Sequence, residues 1–420
     1  MKTRSPHGFW TIILMLASPF LATVSFPLTA QAEKFKVLYK FTNGADGGNP
    51  SAGLVFDTTG NLYGTTSGGG DSGCFDGCGT VFELSPGLGG WSESTLHTFT
   101  GGSDGGDPFD KLIIDATGNL YGTANVGGIS CGENHGCGVA FELTPGSGSW
   151  KETALYSFQG GTNGYYPIAS LTLDKHGNLY STLSNGGNYE GGSVYELTDG
   201  TSGWKEETLY NSNGGEPAAA PILDSAGNLY GTTSCCGGGG TVFELLHGNW
   251  KERTLFTFNG SGGGKPEAQL VFDKAGNLYG TTEIGGKYDM GTVFKLARGA
   301  KGKWKESVLY SLKGGTDGAA PFSTPIFDSA GNLYATTMHG GSTSCGNGHG
   351  CGTVFKLTPG KNGRWKETVL HRFTGGSDGA YPYFVTLAMD AAGNLYGTTV
   401  GGGNAGCGSI GCGLVFEITP

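Results

Sequence analysis

The chain has 420 residues, of which 37% are hydrophobic, 14% are charged and 83 are glycine. The glycines stand at recurring positions beside Leu, Val, Phe and Tyr without a Gly-X-Y period, which excludes a collagen-like chain and indicates a folded β protein rich in turns. Apart from Lys2 and Arg4, the chain carries 23 basic and 35 acidic side chains, a net charge of −12, which argues against a nucleic-acid partner.

The first 32 residues have the pattern of a secretory signal peptide. Lys2 and Arg4 precede an apolar run from Phe9 to Phe26, and the small residues of Ala30-Gln31-Ala32 predict cleavage after residue 32. A retained membrane anchor is the alternative, but Pro19 interrupts the run and the run is short for a span. We therefore predict a signal peptide over residues 1–32, no membrane span after cleavage, and a secreted chain, either periplasmic or extracellular.

Seven repeats follow the predicted signal peptide. The tetrapeptide Gly-Asn-Leu-Tyr begins at seven positions spaced 49 to 62 residues apart: Gly60, Gly118, Gly177, Gly227, Gly276, Gly331 and Gly393. Each repeat has four runs rich in Val, Ile, Leu, Tyr, Phe and Thr, separated by Gly, Asn, Pro and Asp, which is typical of four β-strands. Seven units of four antiparallel strands predict an all-β, seven-bladed propeller that forms one domain over residues 33–420.

The two ends of the repeat region predict how the ring closes. The segment Phe35–Phe41 aligns with the fourth strand of a repeat, such as Glu306–Leu312, whereas the last repeat ends after its third strand, at Pro420. We therefore predict that the N-terminal strand completes the last blade, because this pairing removes a free sheet edge.

The repeat "GNLYGTT..GG......GTVFELTPG....W.E..L..F.GG.DG..P" resembles the Gloeobacter/Verrucomicrobia tandem repeat, abbreviated GloVer. The resemblance covers nearly all of the chain after the signal peptide. It implies a secreted or surface repeat protein and no known activity. Members of this family frequently carry a C-terminal sorting anchor; because the sequence stops at Pro420, we expect release rather than anchoring.

The connections between blades are candidate binding loops. In an antiparallel blade the short "TTGN" and "TPG" turns share one face, and the longer, variable loops share the other, where binding usually resides. Most inter-blade loops read "GG.DG..P", which places four aspartates in corresponding positions: Asp46, Asp104, Asp317 and Asp378. These carboxylates are candidates to bind Ca²⁺ or a polyhydroxyl ligand, although the spacing favours an Asp-Gly turn instead.

Aromatic residues near the prolines of these loops are the second set of candidates. They are Phe109, Tyr165, Tyr166, Phe322, Tyr381 and Tyr383. Aromatic side chains at a concave mouth can stack on sugar rings or apolar ligands. The favoured alternative is that they plug the central channel, since large aromatic side chains more often serve packing.

The ten cysteines form five close pairs in the loops between second and third strands. The pairs are Cys74 and Cys78, Cys131 and Cys137, Cys235 and Cys236, Cys345 and Cys351, and Cys407 and Cys412. In a secreted chain this arrangement predicts five local disulfides that tie these loops. His135 and His349 lie inside two pairs, but three ligands in so short a loop fall short of a zinc site. We predict no metal and no cofactor, with Ca²⁺ at the aspartate loops as the open alternative.

The fourth strands carry a repeated Trp-X-Glu pattern. The tryptophans are Trp91, Trp150, Trp204, Trp250, Trp304 and Trp365, and one identical residue per blade favours packing between blades. The glutamate two residues later, as in Glu152 and Glu367, is expected to face solvent or to cap the turn.

No nucleophile, base and orienting group can be paired in the sequence. The sequence therefore favours a monomeric, non-catalytic binding or scaffold propeller that recognises an extracellular glycan or protein. One alternative is a polysaccharide-active lyase or hydrolase with a site at the channel mouth, where Tyr165, Tyr166, Glu216, Lys265 and Glu267 depart from the repeat. The other is a purely structural surface or matrix protein.

Overall fold

The computed structural model describes Met1 and residues 33–420, except residues 72, 132–135, 235–238, 300–301 and 405–406. The unit Glu33–Pro420 contains seven four-stranded antiparallel sheets, which confirms the predicted seven-bladed propeller. The predicted signal peptide lies outside the described residues. None of the described helical segments is long and apolar enough to cross a lipid bilayer.

The strands of each blade run in sequence from the central channel to the outer rim, with one exception in the last blade. The innermost strands are β2 (Val55–Phe56), β6 (Ile113–Ile114), β10 (Thr172–Leu173), β14 (Ile222–Leu223), β18 (Val271–Phe272), β22 (Ile326–Phe327) and β26 (Ala388–Met389). The second strands are β3 (Leu62–Thr66), β7 (Leu120–Ala124), β11 (Leu179–Leu183), β15 (Leu229–Ser234), β19 (Leu278–Thr282), β23 (Leu333–Thr337) and β27 (Leu395–Thr399). The third strands are β4 (Thr80–Gly87), β8 (Val139–Pro145), β12 (Ser193–Gly200), β16 (Gly240–Leu246), β20 (Thr292–Arg298), β24 (Thr353–Pro359) and β28 (Leu414–Thr419). The outer strands are β5 (Gly90–Thr98), β9 (Trp150–Ser157), β13 (Gly203–Asn211), β17 (Lys251–Thr257), β21 (Trp304–Ser311), β25 (Trp365–Arg372) and, in the last blade, β1 (Lys34–Lys40).

The ring closes through β1. This strand pairs antiparallel with β28, from Lys34 opposite Thr419 to Lys40 opposite Leu414, and completes the seventh blade. The closure predicted from the two chain ends is therefore confirmed.

The second strands are buried along their length, apart from the half-buried Ser234 at the end of β15, and they pack against the third strands. A glycine stands at the centre of most of them because a side chain would meet the phenylalanine opposite: a Cβ on Gly64 would lie 2.6 Å from Cζ of Phe82. Two blades depart from this pattern. In the sixth, Ala335 stands at the glycine position opposite Phe355, and in the third, Ser181 stands there opposite Tyr195. The Ser181 hydroxyl donates to the Ser170 carbonyl over 2.7 Å, so the change is accommodated inside the blade.

The repeated Gly-Asn-Leu-Tyr motif forms the turn between the first two strands. In the first blade the Asp57 carboxylate accepts the N–H groups of Thr59 and Asn61 at 2.8 and 2.9 Å, the Asn61 amide at 2.9 Å and the Tyr63 hydroxyl at 3.2 Å. Equivalent aspartates, missed as a set by sequence reasoning, hold the other six turns: Asp115, Asp174, Asp224, Asp273, Asp328 and Asp390. The motif is therefore a structural device used once per blade.

The tyrosine of this motif lies between blades. The Tyr63 ring is 5.9 Å from the Trp150 ring of the next blade, and the Tyr180 ring is 6.2 Å from the Trp250 ring. The repeated tryptophans therefore pack at blade junctions, as predicted.

Four of the five predicted disulfides are present, and they join Cys74 to Cys78, Cys131 to Cys137, Cys345 to Cys351 and Cys407 to Cys412. The fifth prediction, between Cys235 and Cys236, lies outside the described residues. The disulfides share one face with the connections between blades, such as residues 158–171; we call this the loop face. The opposite face bears the turns after the first and third strands and is called the turn face.

Candidate functional site

The four predicted aspartates of the inter-blade loops close the loops that contain them. Each carboxylate accepts the N–H of the residue four positions earlier, over 2.9 Å from Thr42 to Asp46, 2.9 Å from Thr100 to Asp104, 2.9 Å from Lys313 to Asp317 and 3.1 Å from Thr374 to Asp378. Within the described residues, no three His, Cys, Asp or Glu side chains are grouped so that they could hold a metal ion. These carboxylates satisfy local donors, and their binding of a ligand stays a prediction.

The glutamates of the outer strands do not face solvent as expected. Glu152 and Glu367 are both half-buried, each beside the inter-blade loop that precedes its own blade. One carboxylate oxygen of each has no hydrogen-bond partner in the described part of the chain. Burial, followed by the negative charge of the neighbouring loop aspartate, raises the pKa of both carboxyls to about 7. In the third blade Asn163 replaces the aspartate and donates its amide to Glu206 over 2.8 Å.

The centre of the loop face is plugged by aromatic side chains. Tyr383 lies 4.9 Å from Phe322 and 6.4 Å from Phe109, measured between ring centroids, and Phe384 lies 5.4 and 5.9 Å from the same two rings. Three of the six predicted aromatic residues therefore meet at the channel. Phe384 was missed, although a visible signal was the one extra residue between Pro382 and Asp390, compared with the other repeats.

A narrow polar cavity lies at the channel and has a volume of about 30 Å³, room for roughly two water molecules. The Asp110 carboxylate lines it and accepts the N–H groups of Lys111 and Ser170 at 2.6 and 2.7 Å. Burial raises the pKa of Asp110 to about 6, although those hydrogen bonds oppose the shift, and burial lowers the pKa of Lys111. The cavity is too small for a sugar, so a ligand of that size would bind across the face instead.

Around this plug, six residues that directly precede the loop prolines have a left-handed backbone; we call them the mouth ring. They are Asn49, Asp107, Tyr166, Lys265, Ala320 and Tyr381, with φ between +52° and +60°. Such a conformation costs a residue other than glycine on the order of 1 kcal/mol, and it persists only where the surroundings enforce it. None of the six is glycine, although glycine fills many left-handed positions in this chain.

The blade on one side enforces each of these conformations. The Asp107 N–H donates to the Cys78 carbonyl over 2.8 Å, and the Tyr381 N–H donates to the Cys351 carbonyl over 2.8 Å. The proline that follows packs on a glycine of the same neighbouring blade: a Cβ on Gly79 would lie 2.7 Å from Cδ of Pro108. Disulfide-bonded cysteines therefore hold four of the six mouth-ring residues, whereas Lys265 and Ala320 donate to the carbonyls of Gly239 and Met290.

Two open pockets adjoin the mouth ring. The first has a volume of about 660 Å³ and is lined by Asn49, Asp107, Asp76, the exposed Phe75 and Ile410. The second has a volume of about 530 Å³ and is lined by Tyr165, Tyr166 and Asn185, with the two tyrosine rings 4.8 Å apart. Large exposed apolar side chains concentrate on the same face: Phe75, Ile129, Tyr189, Tyr288, Met290 and Ile410.

A polar cluster occupies the other side of the plug. Lys265 forms an ion pair with Glu283 over 3.0 Å, and Glu267 lines the channel cavity beside it. Burial raises the pKa of Glu267, the charges of Glu283 and Glu216 raise it further, and Lys265 opposes the shift. The structure thus brings together Glu216, Lys265 and Glu267, which sequence reasoning had named, and adds Glu283.

The fold and its disulfide-tied loops define a β-propeller of the repeat-built class. The chain belongs to the Gloeobacter/Verrucomicrobia repeat family, whose model matches residues 21–168 and 126–348. No curated protein matches the chain in sequence.

Several solved structures are similar in architecture. A candidate 6-phosphogluconolactonase from Bacteroides uniformis is 15% identical over 76% of this chain and 84% of its own, with a TM-score of 0.49. A gluconolactonase from Xanthomonas campestris is 11% identical over 92% of this chain and 89% of its own, with a TM-score of 0.41. At such identities and TM-scores these likenesses carry no information about activity.

Proposed function

We propose that this chain is a secreted binding propeller that recognises an extracellular glycan across its loop face. The mouth ring is the observation that supports this most. Six equivalent backbone positions carry five different residue types in a costly conformation, and loops of the neighbouring blades hold them there. Uniform backbone with varied side chains is the arrangement expected of a recognition surface on a rigid scaffold.

The residue types of this surface suit a sugar. The paired rings of Tyr165 and Tyr166 offer an apolar face on which a pyranose can stack, while Asn49 and Asp107 offer hydrogen-bonding groups for hydroxyls. Because the aromatic plug closes the channel, the ligand would lie across the pockets rather than enter the ring. The four disulfides support the secreted location, since such bonds persist in oxidising compartments.

The test is a glycan array probed with the purified chain and with Tyr166→Gly and Asp107→Ala. Tyr166→Gly removes the aromatic face and also relieves the left-handed backbone, so that a loss of binding does not arise from unfolding. We expect each variant to bind the glycan that the original chain binds most tightly, with an affinity about tenfold lower than that of the original chain. Leu88→Ala, which truncates a fully exposed side chain on the turn face, is the matched control and should bind as the original chain does. A flat array for the original chain, or unchanged binding by both variants, would contradict the proposal.

The polar cluster supports a second candidate, a polysaccharide lyase or hydrolase. Glu267, whose pKa burial raises, is suited to act as a proton donor, and the Lys265–Glu283 pair beside it is suited to stabilise a charged substrate group. Turnover would be measured as the reducing ends that a hydrolase releases from polysaccharides, or as the unsaturated products that a lyase releases. Glu267→Gln should abolish it and Glu207→Gln, on the exposed outer edge of the third blade, should not. Turnover that survives Glu267→Gln would refute this siting.

A further inference from the structure

Two adjacent blades carry a concentration of positive charge that the rest of this acidic chain lacks. The outer hairpins of the fifth and sixth blades, β20–β21 and β24–β25, contain these described lysines and arginines: Lys295, Arg298, Lys303, Lys305, Lys356, Lys361, Arg364, Lys366 and Arg372. Their acidic residues are Glu306 and Glu367, which lie half-buried at blade junctions. The equivalent hairpin of the first blade, β4–β5, has two glutamates and neither lysine nor arginine.

A repeated exchange extends this charge inward. In the first blade Glu83 accepts the hydroxyl of the motif tyrosine, Tyr63, over 3.1 Å. In the fifth and sixth blades lysine takes that position, and Lys295 and Lys356 lie 5.1 and 5.2 Å from the centres of the corresponding tyrosine rings. Lysine replaces glutamate in two neighbouring blades, so the positive charges of Lys295 and Lys356 lie on the same side of the disc.

Most of these cations have no acidic partner. Lys295 approaches Asp273 over 3.6 Å. Among the described residues, the exposed Arg298, Lys303, Lys305, Lys361, Arg364 and Lys366 form no ion pair within 4.0 Å. We call these six residues the basic rim. Unpaired like charges repel one another, and an anionic partner that neutralised them would relieve that repulsion.

A groove beside the basic rim has the chemistry to accept an anionic sugar. It lies between the fourth and fifth blades, has a volume of about 290 Å³, and is lined by Arg253, Lys303 and Trp304. Arg298 lies over the Trp304 ring, 5.9 Å from its centre. An indole beside guanidinium and ammonium groups can stack on a sugar ring while the cations pair with its carboxylate or sulfate.

We propose that the basic rim and this groove bind an anionic polysaccharide, such as a polyuronate. A lipid surface fits less well, because in the described part of these hairpins Val308, 37% exposed, is the one large apolar side chain on the surface. A single-stranded nucleic acid fits less well because its successive bases stack on several aromatic side chains, and Trp304 is the one aromatic residue among the described residues that line the groove. This site lies apart from the loop-face pockets and does not depend on the proposed function.

The experiment measures the affinity of the full chain for polygalacturonate, with neutral dextran in parallel. The variant R298Q/K303Q/K361Q/R364Q removes four charges of the basic rim, and K151Q/K175Q/K205Q/K287Q removes four exposed charges elsewhere and leaves the same net charge. We expect the first variant to bind polygalacturonate at least tenfold more weakly and the second within twofold of the original. Raising the salt from about 50 to 200 mM should weaken binding by the original chain roughly tenfold. Thermal midpoints of both variants verify that they fold.

Several outcomes would overturn the proposal. They are equal weakening by the two variants, equal affinity for dextran, or tighter binding of single-stranded RNA or of phosphatidylglycerol vesicles than of polygalacturonate. Tyr166→Gly, which alters the loop face, should bind polygalacturonate as the original chain does, so the two sites can fail independently.

Discussion

The turn face and the loop face of this propeller use the same repeat in opposite ways. On the turn face, seven aspartates make nearly identical hydrogen bonds to their own turns, from Asp57 to Asp390. On the loop face, six equivalent positions of strained backbone carry Asn, Asp, Tyr, Lys and Ala side chains. The comparison teaches that sequence uniformity in a repeat protein indicates structure, and that variation on a fixed backbone indicates where recognition can occur.

The largest expected effect concerns the glycines that let the loop face close. Gly411 has φ +84°, and a Cβ there would lie 2.4 Å from the Gly402 carbonyl oxygen, whereas Gly408 has φ +65° and open space around it. We expect Gly411→Ala to lower the free energy of unfolding by about 3 kcal/mol and Gly408→Ala by about 1 kcal/mol. Denaturant unfolding measures both. Equal losses would show that the close backbone approach is unimportant.

Replacing one turn-face aspartate should cost somewhat less. Asp224 accepts the N–H groups of Ala226 and Asn228 at 2.8 and 2.9 Å and the Tyr230 hydroxyl at 3.1 Å, so Asp224→Ala leaves several donors without an acceptor. We expect a loss of about 2 kcal/mol in unfolding free energy and no change in glycan binding. Asp104→Ala, on the loop face, should cost less stability. If Asp224→Ala weakened binding at unchanged stability, the division between the two faces would be wrong.

Removing one disulfide should act locally. The bond between Cys345 and Cys351 closes a short loop, worth about 2 kcal/mol at most by the chain-entropy estimate. The Cys351 carbonyl accepts the N–H of the mouth-ring residue Tyr381, so the double serine variant should speed hydrogen exchange at the Tyr381 amide. Exchange at Asn332, on the turn face of the same blade, is the control and should not change. Faster exchange at both sites would mean that the disulfide supports the whole blade.

The smallest expected effect is a dependence of stability on pH. Burial and neighbouring aspartates raise the pKa of Glu152 and Glu367 to about 7, so the folded state favours their protonated forms. Their contribution is full below the ordinary glutamate pKa and is lost as the pH rises through about 7. The turn aspartates act oppositely: burial would raise the pKa of Asp224, but its hydrogen bonds outweigh burial and lower it, so its contribution is lost in acid.

Stability should therefore be greatest in mildly acidic solution. The thermal midpoint should be higher at pH 5 than at pH 8. The corresponding difference in the free energy of unfolding should be on the order of 1 kcal/mol, because solvent screens these half-exposed carboxyls. E152Q/E367Q should reduce this difference, and Glu207→Gln, exposed on an outer strand, should leave it unchanged. A midpoint that rises from pH 5 to pH 8 would contradict the assignment.

Much of the architecture could be predicted from the sequence because the same pattern of strands and turns recurs seven times. The spacing of Gly-Asn-Leu-Tyr predicts the number of blades, and the incomplete last repeat predicts the pairing of β1 with β28. The local cysteine pairs predict the four disulfides that the structure describes. These features depend on contacts within a repeat, or on the match between the N-terminal strand and the missing fourth strand of the last repeat.

The candidate site was less predictable because it depends on contacts between repeats. The left-handed backbone of Asp107 follows from a hydrogen bond to Cys78 of the preceding blade, and no local pattern near Asp107 announces it. The burial of Glu152 likewise depends on a loop from the neighbouring blade, so an alternating strand pattern places this residue wrongly in solvent. The aromatic plug was anticipated for Phe109, Phe322 and Tyr383, since a ring of blades must fill its own centre.

The pairing of β1 with β28 also has a consequence for the order of folding. Lys34 and Thr419 meet across almost the entire chain, so the ring closes only after every blade has been made, and the closing contact bears a large loop-closure entropy. Until then the two end blades each expose a sheet edge or a junction that can pair with another chain. A nascent or partly unfolded molecule is therefore most prone to aggregation at this seam, and stabilising the seam should slow unfolding of the whole ring.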